Sequence, residues 1–254
     1  MLLPRCSPES QGIHQAAASF AARIPSQTGW TSGQPPEIFI GAGGSMAIKA
    51  VAFDVFGTLV NIERPTRPFR KLVRLLHEAG RPRQRDDGIR AMSNAIDLRQ
   101  TASLFGGAVS DAALNALEDE LREEIQSITL FADATPTLLA LRERGIKVAL
   151  CSNLAAPYGP PVLELLPFQP DFCAWSYEAG AVKPQAEIYQ YLCDGIACQP
   201  DEVLMIGDTI EADMIGPRRF GMHGYHLDRH AATANSAESV RSLSDVLTLM
   251  AARH

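Results

Sequence analysis

Short apolar runs recur along this chain at residues 48–53 (IKAVAF), 147–151 (KVALC), 172–175 (FCAW), 203–206 (VLMI) and, more weakly, 223–227 (HGYHL), with helical patterning between them. Runs of this length, bounded by turn residues, read as buried strands. Their alternation with helices implies an α/β fold with a doubly wound, Rossmann-like parallel sheet, because each parallel pair needs a crossover that packs on one face. Patterns over 136–144 and 186–193 supply two such crossovers. One gap breaks the rhythm. Between Val60 and about Ile128 no strand is expected, and amphipathic helical patterns near 69–79, 86–104 and 111–125 take its place. An insertion of that size directly after the first strand is expected to form a helical cap over one edge of the sheet. The expected organisation is a core domain from residues 46–60 and 129–254, with a cap subdomain over 61–128.

Residues 1–45 differ from the rest in their Pro, Gly, Ser and Gln content, with one weakly helical patch around residues 15–24. They lack the continuous apolar core of a secretory signal. Gly41-Ala42-Gly43-Gly44-Ser45 reads as a linker, so a disordered extension is expected here. The chain of 254 residues is 46% hydrophobic with a formal charge of −6, which suits a soluble globular protein. Basic residues are scattered rather than massed, which argues against nucleic acid as a partner. No apolar run is long enough to span a bilayer, so no membrane partner is expected. Five cysteines (Cys6, Cys151, Cys173, Cys193, Cys198) form no CxxC pair and are odd in number. That argues against a disulfide framework and a zinc site, and for reduced thiols in a cytoplasmic protein.

Four polar segments stand at the ends of these strands: Asp54-Val55-Phe56-Gly57-Thr58, Cys151-Ser152-Asn153, Lys183-Pro184, and Gly207-Asp208-Thr209-Ile210-Glu211-Ala212-Asp213. Their order and spacing resemble the haloacid dehalogenase superfamily of hydrolases, in its subfamily I-like form with a helical C1-type cap. The resemblance extends from about residue 48 to 227.

Each segment also has a chemical rationale. Asp54 lies at a strand's carboxyl end, where open α/β sheets bind ligands. Its carboxylate suits in-line attack that forms an aspartyl intermediate, against the plainer role of satisfying turn amides. Thr58 and Ser152 are hydroxyl donors at strand-to-helix turns, suited to an anion or to helix capping. Asn153 could contact substrate or orient its loop. Lys183, just before a helix, corresponds in the resemblance to a lysine that neutralises the nucleophile and the transferring group. Asp208 and Asp213 would repel Asp54 and raise its pKa unless a cation sits among them. Several hard oxygens suit magnesium. The expected Mg²⁺ ligands are Asp54, the Phe56 backbone carbonyl, Asp208 and, directly or through a second layer, Asp213.

Phe56 departs from the resemblance. Phosphatases of this kind carry a second Asp two residues after the nucleophile, to protonate the leaving oxygen and activate water, and a phenyl ring can do neither. The expectation is therefore a Mg²⁺-dependent phosphohydrolase acting on a small phosphorylated molecule with an activated leaving group. A 2-haloacid dehalogenase using the same Asp nucleophile, or a catalytically weak binding or regulatory protein, are the alternatives. A dehalogenase would want a cap arginine, from Arg64, Arg67, Arg70 or Arg85. Substrate selection would fall to cap residues such as Glu63, Arg64, Arg67, Arg70, His77 and Arg99, most of them expected on solvated faces. His223, His226 and His230 are spaced too loosely to suggest a metal site. The oligomeric state has no sequence signal.

Overall fold

The computed structural model describes residues 47–231 and 239–251. The extension over 1–45, its helical patch, the linker and Cys6 lie outside the described residues. In chain order the strands are β1 (Ala50–Phe53), β2 (Val60–Ile62), β3 (Ile128–Leu130), β4 (Lys147–Ser152), β5 (Phe172–Trp175), β6 (Val203–Gly207), β7 (His223–Leu227) and β8 (Ser239–Val240). Six form one sheet in the order β5-β4-β1-β6-β7-β8, every pairing parallel. The chain winds outward to one side through β4 and β5, then returns to the other side of β1 for β6 to β8. The order therefore reverses at β1, and the carboxyl end of that strand is where a crevice opens.

Strand alternation divides the core. Val51 and Phe53 of β1, Val148 and Leu150 of β4, and Leu204 and Ile206 of β6 pack on one face. Ala50, Ala52, Ala149, Cys151 and Ala174 present small side chains on the other, against Ile188, Tyr189 and Leu192. The period of two sends successive side chains to opposite faces, and the small residues let a helix approach the sheet closely.

The segment between β2 and β3 contains helices α1 (Pro68–Glu78), α2 (Asp87–Met92), α3 (Leu98–Phe105) and α4 (Asp111–Gln126). Two expectations need correction. The pattern over 86–104 is two helices, because Asp97 caps α3: its carboxylate accepts from the Gln100 backbone amide (2.7 Å) and its own amide donates to the Gln100 side chain (2.9 Å). Such a box starts a helix where periodicity continues unbroken. The interval after Val60 also holds strand structure, since β2 pairs antiparallel with β3 in the register Val60↔Leu130, Asn61↔Thr129 and Ile62↔Ile128. Three residues are too few to show alternation. Beyond β3, helices α5 (Ala134–Glu143), α6 (Gly159–Leu165), α7 (Ala186–Ile196) and α8 (Ser244–Ala251) complete the described chain, together with shorter turns. Among the described residues, no helix is long and apolar enough to cross a membrane.

One buried ion pair ties α1, α2 and α3 together. Arg81 donates two bonds to Asp87, at 2.8 and 2.6 Å, and a third to the Phe105 carbonyl (2.8 Å). Hydrogen bonding from Arg81 holds the Asp87 carboxyl at about 2, below its ordinary 3.8. Because this pKa is depressed in the folded state, the stabilisation is present above pH 3.8 and is lost as pH falls through about 2. Asp87→Asn is expected to cost about 3 kcal/mol at neutral pH. In acid-titrated thermal melts, the gap between wild type and variant should close between pH 4 and 2. A gap constant across that window would disprove the assignment.

Candidate active site

The residues gathered at the reversal point come from four strand ends. Asp54 follows β1, and its amide donates to the Ile206 carbonyl (2.9 Å), extending the β1–β6 pairing by one residue. Ser152 closes β4 and donates from Oγ to Asp54 Oδ1 (2.9 Å). Lys183 lies in the segment after β5, and its Nζ donates to Asp54 Oδ1 (2.8 Å) and to Asp213 Oδ1 (2.6 Å). Asp208 follows β6. Asp213 sits in a π-helical turn, Ile210–Ile215, and is fully buried. One oxygen from each of Asp54, Asp208 and Asp213 lies within 4.8 Å of the others.

Two glycines permit that convergence. Gly57 has φ +80°, and a Cβ there would lie 2.1 Å from Asp208 Oδ2; a Cβ on Gly207 would lie 2.2 Å from Asp213 Cγ. Any side chain at either position would displace a carboxylate of the cluster. Asp213 is further fixed because its Oδ2 accepts from the Thr209 amide (2.9 Å) while its own amide donates to the Thr209 carbonyl (2.8 Å).

Three carboxylates face one buried ammonium, so the cluster has surplus negative charge. Burial would by itself lower the Lys183 pKa, but Asp54 and Asp213 outweigh it and keep the ammonium protonated. Burial pushes Asp213 up to about 6, with Lys183 opposing and Asp54 adding to the rise. Asp208 is raised as well, first by burial and then by Asp54. A set of hard oxygen donors with uncompensated charge could hold a divalent cation.

The other sequence-predicted residues divide by their surroundings. Asn153 forms a reciprocal pair with the Lys183 backbone, accepting from its amide (2.7 Å) and donating to its carbonyl (2.9 Å), so it orients the lysine loop. Thr58 is buried, its hydroxyl has no hydrogen-bond partner among the described residues, and no bond links it to Asp54. Glu178 forms no hydrogen bond or ion pair with Lys183; its residue is exposed, and partial desolvation of its carboxyl raises the pKa. His223 and His226 bond the Asp201 and Asp208 carbonyls, at 3.1 and 3.0 Å, rather than joining the carboxylates. Among the cap candidates, Arg99 is paired with Glu118 and Asp111, His77 with Asp87, and Glu63 accepts from Asn61 and Thr129. Arg67 and Arg70 instead line a cleft beside Phe56. Cys151, Cys173, Cys193 and Cys198 are free, and burial pushes the first three thiols up to about 12.

Arg229 was not foreseeable. It donates to the carbonyls of Gly57 (3.3 Å) and Thr58 (2.6 Å) and to both oxygens of Asp133 (2.9 and 3.0 Å), pinning the turn that follows Asp54. Its partners lie 96 or more residues away in the chain, with no local pattern to announce them.

Comparison with known proteins bears on the family and the fold. The family model for haloacid dehalogenase-like hydrolases matches residues 48–221. A ribulose-1,5-bisphosphate 5-phosphatase of Halopiger xanaduensis is 28% identical over 158 residues, covering 60% of this chain and 66% of its own. An (S)-2-haloacid dehalogenase 4A of Burkholderia cepacia is 28% identical over 145 residues, covering 53% and 61%. The chain thus spans less than two thirds of either curated relative. A crystal structure of a HAD phosphatase from Thermococcus onnurineus shares the fold with a TM-score of 0.56 and 21% identity, covering 80% of this chain and 97% of that one. Four strand-end segments meeting at the sheet's reversal point, together with a family model matched along more than half of the sequence, place this chain among the haloacid dehalogenase-like hydrolases.

Proposed function

We propose that this protein is a magnesium-dependent phosphohydrolase that works through an aspartyl-phosphate intermediate on a small phosphorylated molecule with an activated leaving group. The convergence of Asp54, Asp208 and Asp213 carries this reading. Asp54, Asp208, the Phe56 carbonyl and Asp213 would hold Mg²⁺, whose role when bound is to offset the charge of the carboxylates and the phosphoryl group.

The chain's own residues account for the rest. Oδ1 of Asp54 is occupied by Ser152 and Lys183, which leaves Oδ2 for attack. As the bond from Oδ2 to phosphorus forms, the bond to the leaving oxygen breaks. Lys183, and the hydroxyls of Ser152 and Thr58, stabilise charge on the transferring group, and Asn153 keeps Lys183 in place. Water then attacks phosphorus, the bond to Asp54 breaks, and the carboxylate and inorganic phosphate are released. Phe56 cannot protonate the leaving oxygen, a contribution typically worth ~10²–10⁴-fold, so acyl and aryl phosphates are favoured. In this reading the cap over 61–128 selects the substrate, and the four free thiols, three of them buried, suit a cytoplasmic setting.

Mg²⁺-dependent release of phosphate from p-nitrophenyl phosphate or acetyl phosphate tests the proposal. No turnover of either with metal present would refute it. Phe56→Asp is expected to raise turnover of an alkyl ester such as glycerol phosphate at least about tenfold relative to p-nitrophenyl phosphate. An unchanged ratio would mean that another group already supplies the proton.

The second reading is 2-haloacid dehalogenation, favoured by the phenyl ring of Phe56 beside the nucleophile. There Asp54 would attack carbon and halide would leave unprotonated. Asp208 speaks against it, because an uncompensated carboxylate opposes a carboxylate substrate. Chloride release from 2-chloropropionate in EDTA would favour this reading over the first.

A further inference from the structure

Beside the carboxylate cluster lies a second cleft, of about 410 Å³, and Phe56 and Asn153 line both. Ile62, Phe69, Val73, Leu154 and Tyr158 give the remaining wall its larger apolar and aromatic side chains. The aromatic side is fixed in place. Tyr158 meets Phe56 edge to face at 5.7 Å and Phe69 at 6.2 Å, and its hydroxyl donates to buried Glu124 (2.8 Å). Glu124 also accepts from Thr66 (2.9 Å) and from the backbone amide of Arg67 (2.5 Å). That bond keeps Arg67 at φ 59°, a left-handed conformation unfavourable for a non-glycine residue. An apolar cleft that opens onto a polar reaction centre is suited to the non-reacting body of a ligand.

The rim of this cleft is cationic. Arg67, Arg70 and Val73 line it and also a neighbouring basic cleft of about 530 Å³ along α1. Three other basic groups of that second cleft are engaged, Lys71 with Glu120 at 2.7 Å, Arg74 with Glu78 at 3.6 Å and His77 with Asp87 at 3.4 Å; Arg83 lines the second cleft but not the apolar one. Arg67 and Arg70 are exposed, and no carboxylate pairs with the guanidinium of either among the described residues. Uncompensated positive charge therefore stands where the apolar cleft ends. A guanidinium binds a carboxylate through two parallel hydrogen bonds.

We infer that this cleft holds the leaving group of the substrate, and that the group is an aromatic body ending in a carboxylate that Arg67 and Arg70 bind. The inference rests on the phosphohydrolase reading and narrows its substrate class. It agrees with the chemistry of Phe56, since an aryl oxygen departs without a proton and the same phenyl ring forms the cleft wall.

Calorimetric titration of the full-length protein with Mg²⁺ and three phosphonates that cannot be hydrolysed separates the inference from its premise. Methylphosphonate, benzylphosphonate and 4-(phosphonomethyl)benzoate should bind in increasing order, with about tenfold between successive ligands. In the double variant Arg67→Gln/Arg70→Gln, the advantage of the carboxylated ligand over benzylphosphonate should vanish. Equal binding of all three, no binding of any, or a carboxylate advantage that survives in the variant would overturn the inference. Phenyl phosphate turnover without the predicted binding order would do so too, while leaving the hydrolase reading intact. The predicted order without hydrolysis of the corresponding esters would uphold the cleft's ligand class and refute the hydrolase reading.

Discussion

Asp54→Asn should lower phosphate release from p-nitrophenyl phosphate by ~10⁴-fold or more with the fold intact, as expected when a covalent nucleophile is removed. The substitution is nearly isosteric, and an amide oxygen can still accept from Ser152 and Lys183, the two donors that now hold Asp54 Oδ1. What is lost is the charge and the attacking oxygen. The melting temperature in EDTA should change little, because the variant removes one member of a cluster in which carboxylates outnumber the ammonium. Affinity for Mg²⁺ should fall, since one of three charged donors is gone. Residual activity within tenfold of wild type would exclude Asp54 as the nucleophile.

Lys183→Met should have the largest effect on stability. The ammonium is buried and bridges Asp54 and Asp213, at 2.8 and 2.6 Å, so its removal leaves two buried carboxylates unpaired. Breaking a buried pair in this way costs about 3–5 kcal/mol. Two conditions should restore part of the loss. Millimolar Mg²⁺ should raise the variant's melting temperature more than the wild type's, because a bound cation replaces the missing charge and stabilises by mass action. Lower pH should help as well. The folded-state pKa of Asp213 already stands at about 6 through burial, above its ordinary 3.8, and loss of Lys183 removes the group that opposes the rise. A raised carboxyl contributes stability that is fully present below pH 3.8 and is lost as pH rises through the folded-state value. The variant should therefore gain stability as pH falls from 7 toward 4. A variant as stable as wild type in EDTA at pH 7 would show that Lys183 is not the counter-ion of this cluster.

Strand-end chemistry was legible because each part of it is local. An apolar run ending in Asp54, a small hydroxyl at Ser152, a lysine before a helix and the pair Asp208/Asp213 each occupy one short segment. Parallel strands place all such ends on the same edge. What local pattern could not show was which neighbour each side chain meets. Asn153 was open between substrate and loop, and only packing revealed its two bonds to the Lys183 backbone. Thr58 was open between anion donor and helix cap, and its buried hydroxyl has no partner among the described residues. The six cap candidates had the same standing until helix packing paired Arg99 and His77 with acids and left Arg67 and Arg70 at the cleft.

Periodicity reports which face of an element is apolar, and turn residues report where the element ends. From these alone the chain determined its alternating architecture, the helical interval after the first strand and the chemical groups at each strand end. Contacts between segments distant in the chain, such as Arg229 with the turn after Asp54, 171 residues away, or Glu124 with Tyr158, 34 away, were decided only when the elements packed. Burial then selected partners by distance and charge, and neither quantity is written in the order of residues.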